Sequence, residues 1–305
     1  MKTIQIGHLN QPSSRLIYGC MRINGDNSAD AIEQGKNAIR AAVDAGYNHF
    51  DHADIYGNGE CERIFGEVIK ESPELRDQLI ITSKAGIRFA GTPTADDVGR
   101  YDFSKEYITA QVEASLQRLN IDALDLFLLH RPDYLFDPQV VAETFEQLKR
   151  QGKVKQFGVS NFSPSQVSML QSFSTEKLAV NQVEINIHNI SAFENGTLDQ
   201  CLEKHMVPMA WCPIATVVYE AWGNTFDQDT VNRIHQELDR QAQFYNEEKW
   251  IVILAWLMIH PANICPIVGS TNPERIKAAT RALDIKYRRE DWYRLLQARN
   301  GQPVP

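Results

Sequence analysis

Short apolar runs that stop at a polar or ionisable residue alternate along this chain with stretches whose apolar residues recur every three or four positions. The first kind reads as buried strand and the second as amphipathic helix, because side chains repeat every second residue across a strand and about every 3.6 around a helix. Eight strands are expected on this basis, at 16–19, 48–51, 79–84, 124–130, 156–160, 179–184, 207–211 and 265–269. Between them, Ile108, Val112, Leu116 and Leu119 share one helical face, with Ser104 as its N-cap. Ser163-Pro164-Ser165-Gln166 reads as an N-cap, a proline in the first helical position and a capping-box glutamine. Asp137-Pro138 starts the preceding helix in the same way, and Gly152 ends it. Strands and helices alternate without linker, repeat or low-complexity segment. The economical closure is an α/β (β/α)8 TIM barrel, one domain over residues 1–305.

Composition narrows the classes. Of the 305 residues, 43% are hydrophobic, enough for a large core. The longest uncharged apolar run, 250–259, is shorter than the ~18 residues that span a bilayer. Met1-Lys2-Thr3-Ile4-Gln5 begins no secretory apolar region, so a cytoplasmic protein is expected. Five cysteines with no CxxC pair argue against a disulfide framework or structural zinc. A net charge of −8 disfavours nucleic acid as a partner, since phosphate binding needs a basic face. The expected partner is a small molecule, with no membrane and no obligatory protein partner.

Candidate chemistry lies where the runs end. Asp51, Lys84 and His130 terminate three successive strands, and Tyr56 follows the first of them in Ala53-Asp54-Ile55-Tyr56-Gly57. Loops at the C-terminal strand ends of such a barrel converge on one pocket. A free phenol, with a pKa of ~10, is a poor acid–base group near neutrality. A neighbouring ammonium lowers that value, and a carboxylate keeps the ammonium charged and in place. Asp51 and Lys84 are suited to do this for Tyr56, while His130 is suited to orient a carbonyl oxygen. The set fits a reaction that protonates an oxygen while a hydride reaches its carbon. Taken singly, each residue has a plainer reading, as structural ion pair, loop anchor or satisfied barrel histidine.

These residues carry a resemblance to the aldo-keto reductase family, closest to a bacterial branch, from about residue 16 to about residue 280. The segment from Gly46 to Gly57 resembles that family's signature with its catalytic Asp and Tyr. Ile81-Thr82-Ser83-Lys84 resembles its lysine strand, and Leu128-Leu129-His130-Arg131-Pro132-Asp133 its histidine strand. Gly158-Val159-Ser160-Asn161-Phe162 and Asn181-Gln182-Val183-Glu184 resemble its nicotinamide-binding strand ends. The resemblance implies NADPH-dependent reduction of aldehydes or ketones, and a short N-terminal hairpin, 2–9, plugging the barrel bottom.

The cofactor expectation has its own residues. Ser160, Asn161 and Gln182 carry side chains able to hydrogen-bond a carboxamide, and Trp211 offers a flat face to a nicotinamide ring. Cys212, Pro213 and Ile214 resemble the start of the family's pyrophosphate loop, and Gly19, Cys20 and Met21 at the first strand end are included in the expected cofactor site. Gly269-Ser270-Thr271-Asn272-Pro273-Glu274-Arg275 opens a helix whose free N–H groups form an anion site, with Arg275 as a fork for a 2′-phosphate. Ala278, Ala279 and Gly269 depart from the polar residues many relatives carry, which narrows the expected preference for NADPH over NADH.

Other motifs point elsewhere. Gly57-Asn58-Gly59 has Glu62 where a dinucleotide fingerprint needs its third glycine. Tyr101 and Lys105 match a YxxxK pair but read as a loop entering a helix cap. His49 and His52 with Asp54 would suit a metal-dependent hydrolase. Their odd spacing instead directs the two rings to opposite faces, as core or supporting histidines. His52 stands where many relatives have a Thr, in a supporting role. A second class stays open, a non-catalytic NADP(H)-binding sensor or regulatory protein on the same fold. Loops bearing Met21, Arg22, Ile23, Arg88, Phe89 and Arg131, with Tyr219, Trp222 and Phe226 after the seventh strand, are expected to wall the substrate pocket. Cys20 and Cys212 are candidates for redox sensitivity, though buried inert thiols are the commoner case.

Overall fold

The computed structural model describes residues 1–219 and 226–305; Trp222, one of the expected pocket residues, lies outside them. Eight parallel strands close into a barrel in sequence order: β1 (Ile17–Gly19), β2 (His49–Asp51), β3 (Ile80–Ala85), β4 (Leu124–Leu129), β5 (Val154–Ser160), β6 (Leu178–Glu184), β7 (Val207–Trp211) and β8 (Cys265–Val268). All eight expected strands are present, and His130 and Gly269 fall just past the ends of their ladders. β8 pairs with β1 through Ile267–Ile17 and Val268–Tyr18, so no edge is left open among these strands.

Inside the barrel, Ile17, Ile80, Leu126, Val180, Met209 and Cys265 pack together. Outside it, a larger cluster that includes Phe50, Phe65, Phe127, Phe145 and Phe157 joins strands to helices. The helices begin as the sequence indicates. Ser104 caps Lys105–Leu119 through the Tyr107 N–H, Asp137 caps Pro138–Arg150, and Ser163 with Gln166 forms a reciprocal capping box on Pro164–Phe173. None of the helices among the described residues is long and apolar enough to cross a membrane.

The bottom of the barrel is plugged by an N-terminal hairpin longer than expected. Thr3–Ile4 pairs antiparallel with Ser13–Ser14, so the second arm lies beyond residue 9. Ser13-Ser14 has no apolar alternation, which hides it from a pattern search; its side chains are instead buried in hydrogen bonds, Ser13 Oγ to His49 Nδ1 at 2.8 Å and Ser14 Oγ to the Leu16 carbonyl at 2.7 Å. Gly7, at φ +49°, turns the chain where an added Cβ would come within 2.6 Å of Gln156 Oε1. Ile6 and Leu9, 0% and 6% exposed, then close the barrel floor. Burial of this kind stabilises by about 1.5–3 kcal/mol per side chain.

Candidate active site

At the opposite end of the barrel, β2 and β3 bring a carboxylate and an ammonium together. Lys84 Nζ donates to both Asp51 carboxylate oxygens at 2.8 Å and to the His52 carbonyl at 2.6 Å, with Lys84 fully buried and Asp51 nearly so. Gln182, on β6, donates to Asp51 Oδ1 at 2.8 Å across the barrel. Burial alone would pull the Lys84 pKa down, but the neighbouring Asp51 carboxylate and Tyr56 phenol outweigh it, and the ammonium is held charged above its usual range.

Tyr56 opens a short 3-10 turn, Tyr56–Gly59, in which Gly57 and Asn58 both have positive φ. The turn swings the chain from the end of β2 into the helix Glu60–Glu71. It leaves the Tyr56 ring centre 5.0 Å from Lys84 Nζ and 6.1 Å from the His130 imidazole, edge to face. Here the structure corrects the expected phenol acidity. Burial pushes the Tyr56 pKa up to about 12; the Lys84 charge and hydrogen bond pull it down, as anticipated, but burial prevails. Tyr56 is therefore a neutral, proton-bearing phenol through the neutral range.

His130 donates its backbone N–H to the Ala85 carbonyl at 2.9 Å. Burial, then the Lys84 charge, then Arg131 hold its imidazole pKa well below the usual value, so the ring is neutral. Its Nδ1 is buried without a hydrogen-bond partner among the described residues.

The wall next to this cluster is a hydrogen-bonded chain of strand ends. Ser160 Oγ donates to the Gln182 carbonyl at 2.8 Å, and Asn161 Nδ2 to Ser160 Oγ at 2.9 Å. Asn161 Nδ2 also reaches the His130 carbonyl at 3.2 Å, and Trp211 Nε1 donates to Asn161 Oδ1 at 3.0 Å. Asn161 sits at φ +62°, a left-handed conformation asparagine tolerates better than most residues. A cleft of about 820 Å³ runs from Asp51, Tyr56 and His130 past Trp211, Cys212, Pro213 and Ile214 to Gly269, Ser270 and Arg275. Gly19 lines it too, and a Cβ there would meet Ile267 Cγ2 at 2.7 Å.

Not every expected residue reaches this cleft. Cys20 lies beneath it, fully buried, with its thiol pKa raised mainly by burial; Thr271 is exposed outside the lining. Lys84 is fully buried behind its partners and does not line the cleft. Ile23 packs into the core, Arg88 pairs with Asp102 at 2.6 Å, and Phe226 lies against His188. Met21, Arg22, Arg131 and Tyr219 do line the cleft. The helix start after β8 is less open than anticipated, because Ser270 Oγ takes the Asn272 N–H and Asn272 Oδ1 takes the Arg275 N–H. Ala279 is buried and faces the core. Sequence reading missed Ile55, Ile87, Glu248, Trp250 and Leu254. Trp250 and Leu254 belong to the apolar stretch 250–259, where burial accounts for the residues without a ligand, and Glu248 is the exposed N-cap of the helix that carries them.

The remaining candidates resolve as supporting groups. His49 is held by Ser13 and, at 2.6 Å through Nε2, by Thr82 Oγ1, whereas the His52 ring packs 4.6 Å from Phe65. Burial lowers both pKa values to about 3. Tyr101 lies on a surface hairpin and Lys105 begins a helix, so the YxxxK spacing is a loop running into a cap.

The lining suits a nicotinamide dinucleotide: an aromatic ring at Trp211, the polar strand ends Ser160, Asn161 and Gln182, and the cationic side chain of Arg275. Comparison with known proteins agrees. The chain is 41% identical over 296 residues, 96% of either protein, to the "Uncharacterized oxidoreductase YcsN" of Bacillus subtilis. It is 37% identical over 311 residues to the "6-dehydroglucose reductase" of Novosphingobium aromaticivorans, covering 99% of this chain and 96% of that one. The fold matches the aldo/keto reductase from Klebsiella pneumoniae solved in complex with NADP and acetate, at TM-score 0.80 and 25% identity, over 100% of this chain and 96% of the other. Residues 15–300 fit the model of the Aldo/keto reductase family, and on that extent of agreement the chain belongs to this family.

Proposed function

We propose that this protein is an NADPH-dependent oxidoreductase that reduces aldehyde or ketone carbonyls to alcohols, reversibly, with Tyr56 as the proton donor. The observation that carries the reading is a neutral phenol held against a buried Lys84–Asp51 pair at the head of the cleft. When bound, the reduced nicotinamide supplies the hydride. Trp211 and the Ser160–Asn161–Gln182 chain would hold and orient its ring and carboxamide, and Arg275 would receive the 2′-phosphate. A carbonyl oxygen between Tyr56 and His130 is polarised by the neutral imidazole and takes the phenol proton. The Lys84 ammonium stabilises the phenolate left behind, and Asp51 keeps that ammonium charged. In the reverse direction the phenolate takes the proton back from the alcohol.

The test is NADPH oxidation measured over aldehydes, ketones, quinones and dicarbonyls with wild type and Tyr56→Phe. The variant should keep NADPH affinity and lose kcat by about 10²–10⁴, the usual contribution of a positioned acid. Tight NADPH binding by wild type with no turnover across the panel would instead support the sensor reading.

A further inference from the structure

Arg131 is a cation that the chemistry above leaves unused. It follows His130 directly, lines the cleft, is half-buried, and holds its guanidinium 5.9 Å over the Trp211 ring. Every other arginine that is at least partly buried among the described residues donates to an oxygen: Arg88 to Asp102, Arg118 to Glu62, Arg233 to the Ala298 carbonyl, Arg299 to the Ile187 and His188 carbonyls, and the rest likewise. Arg131 has no such acceptor among the described residues. Its N–H groups are therefore open to the cleft, and a fork of fixed N–H groups matches a carboxylate in two parallel bonds.

Among the described residues, no carboxylate lining the cleft pairs with it. Asp51 is committed to Lys84 and Gln182, and the other lining carboxylate, Glu248, pairs with Arg281 at 3.1 Å. Arg275, also in the lining, is the residue the proposed cofactor's 2′-phosphate would occupy. The charge of Arg131 is nevertheless felt at the reacting centre, since it contributes to the lowered pKa of His130.

We infer that Arg131 anchors a carboxylate of the substrate, so that the preferred carbonyl compounds are aldehyde or keto acids. This rests on the carbonyl-reductase reading above. The test uses matched pairs, 4-formylbenzoate with its methyl ester and 4-oxobutanoate with its methyl ester, in NADPH-dependent reduction. The acid of at least one pair should have a kcat/KM about ten- to a hundred-fold above its ester, the range expected of a charge-assisted pair. Arg131→Met should remove most of that ratio, chiefly through the KM of the acid, and Arg131→Lys should restore part of it. Equal values for acid and ester in both pairs, or a substitution that lowers acid and ester alike, would overturn the assignment. A second readout needs no turnover: calorimetric binding of 4-(hydroxymethyl)benzoate to the NADP⁺-loaded protein should weaken about ten-fold or more in Arg131→Met. If no carbonyl is reduced, the reductase reading fails, and this binding comparison still decides for or against Arg131.

Discussion

Lys84 illustrates how a single residue's chemistry is set by its surroundings. Its ammonium is completely buried, yet two bonds to Asp51 and one to the His52 carbonyl leave it charged. Its effect on Tyr56 is a difference between opposing influences: burial raises the phenol pKa to about 12 despite the ammonium. Alcohol oxidation needs the phenolate, so its rate should climb as pH rises toward that value, while carbonyl reduction stays flat through neutrality. Lys84→Met removes the downward pull and should move the rise of alcohol oxidation to still higher pH, besides depressing kcat. Profiles of kcat/KM for alcohol oxidation from pH 6 to 10.5 check this: wild type should still be rising at the top of that range, and Lys84→Met should lie below it at every pH. An unchanged profile and rate would make the Asp51–Lys84 pair structural. Positions were legible at this scale because Asp51, Lys84 and His130 end apolar runs and Tyr56 follows the first of them. The sign of the net pKa shift was not, because it depends on how completely Tyr56 is enclosed, and no spacing encodes enclosure.

Among the elements, the turn from β2 into the helix Glu60–Glu71 carries a second set of buried charges behind the cluster. Glu62, fully buried, accepts from Ser83 Oγ at 2.5 Å and from Arg118 Nε at 2.7 Å, tying that helix to β3 and to Lys105–Leu119. Asp54 lies beside it with Oδ1 buried and unpartnered among the described residues. Burial, then the Glu62 charge, raise the Asp54 pKa to about 7, although Arg118 and Lys84 oppose them. The folded state therefore holds a proton that the unfolded chain, with an ordinary pKa of ~3.9, releases. Stability from this group is fully present at low pH and declines as pH rises from about 4 through about 7. Asp54→Asn, neutral at every pH, should escape that decline: its Tm minus that of wild type should be more positive at pH 8 than at pH 5.5. A difference that is the same at both values would show that Asp54 ionises normally. Glu62 could be read in the sequence only as a failed glycine position. Its pairing with Arg118 joins helices far apart in the chain, beyond the reach of local pattern.

Over the whole molecule, barrel order, strand ends and helix caps were legible because local signals and tertiary packing agree, whereas the Ser13–Ser14 arm of the plug and the cleft face of Lys249–Met258 were not. In the first, hydrogen bonds replace apolar alternation; in the second, a buried helix and a ligand-facing one share the same composition. The same limit applies to cofactor choice, which is spread over two distant strand ends and the helix after β8. Two of that helix start's N–H groups are occupied by Ser270 and Asn272, so discrimination for a 2′-phosphate falls on the exposed Arg275 side chain. A charge-assisted hydrogen bond contributes about 1.5–3 kcal/mol, but an exposed pair gives closer to 0–1 kcal/mol, so the preference for NADPH is expected below the charge-assisted range, roughly a few-fold. Ligand that binds only the folded state stabilises it by about 2.7 kcal/mol at a hundred times Kd, so binding is visible without a substrate. At equal, subsaturating concentrations NADPH should raise Tm more than NADH, and Arg275→Met should erase most of the difference by weakening NADPH alone. Added salt should shrink it too, since the Debye length falls to ~3 Å at 1 M. Equal shifts for the two cofactors in wild type, or a substitution that weakens both, would move the 2′-phosphate contact away from Arg275.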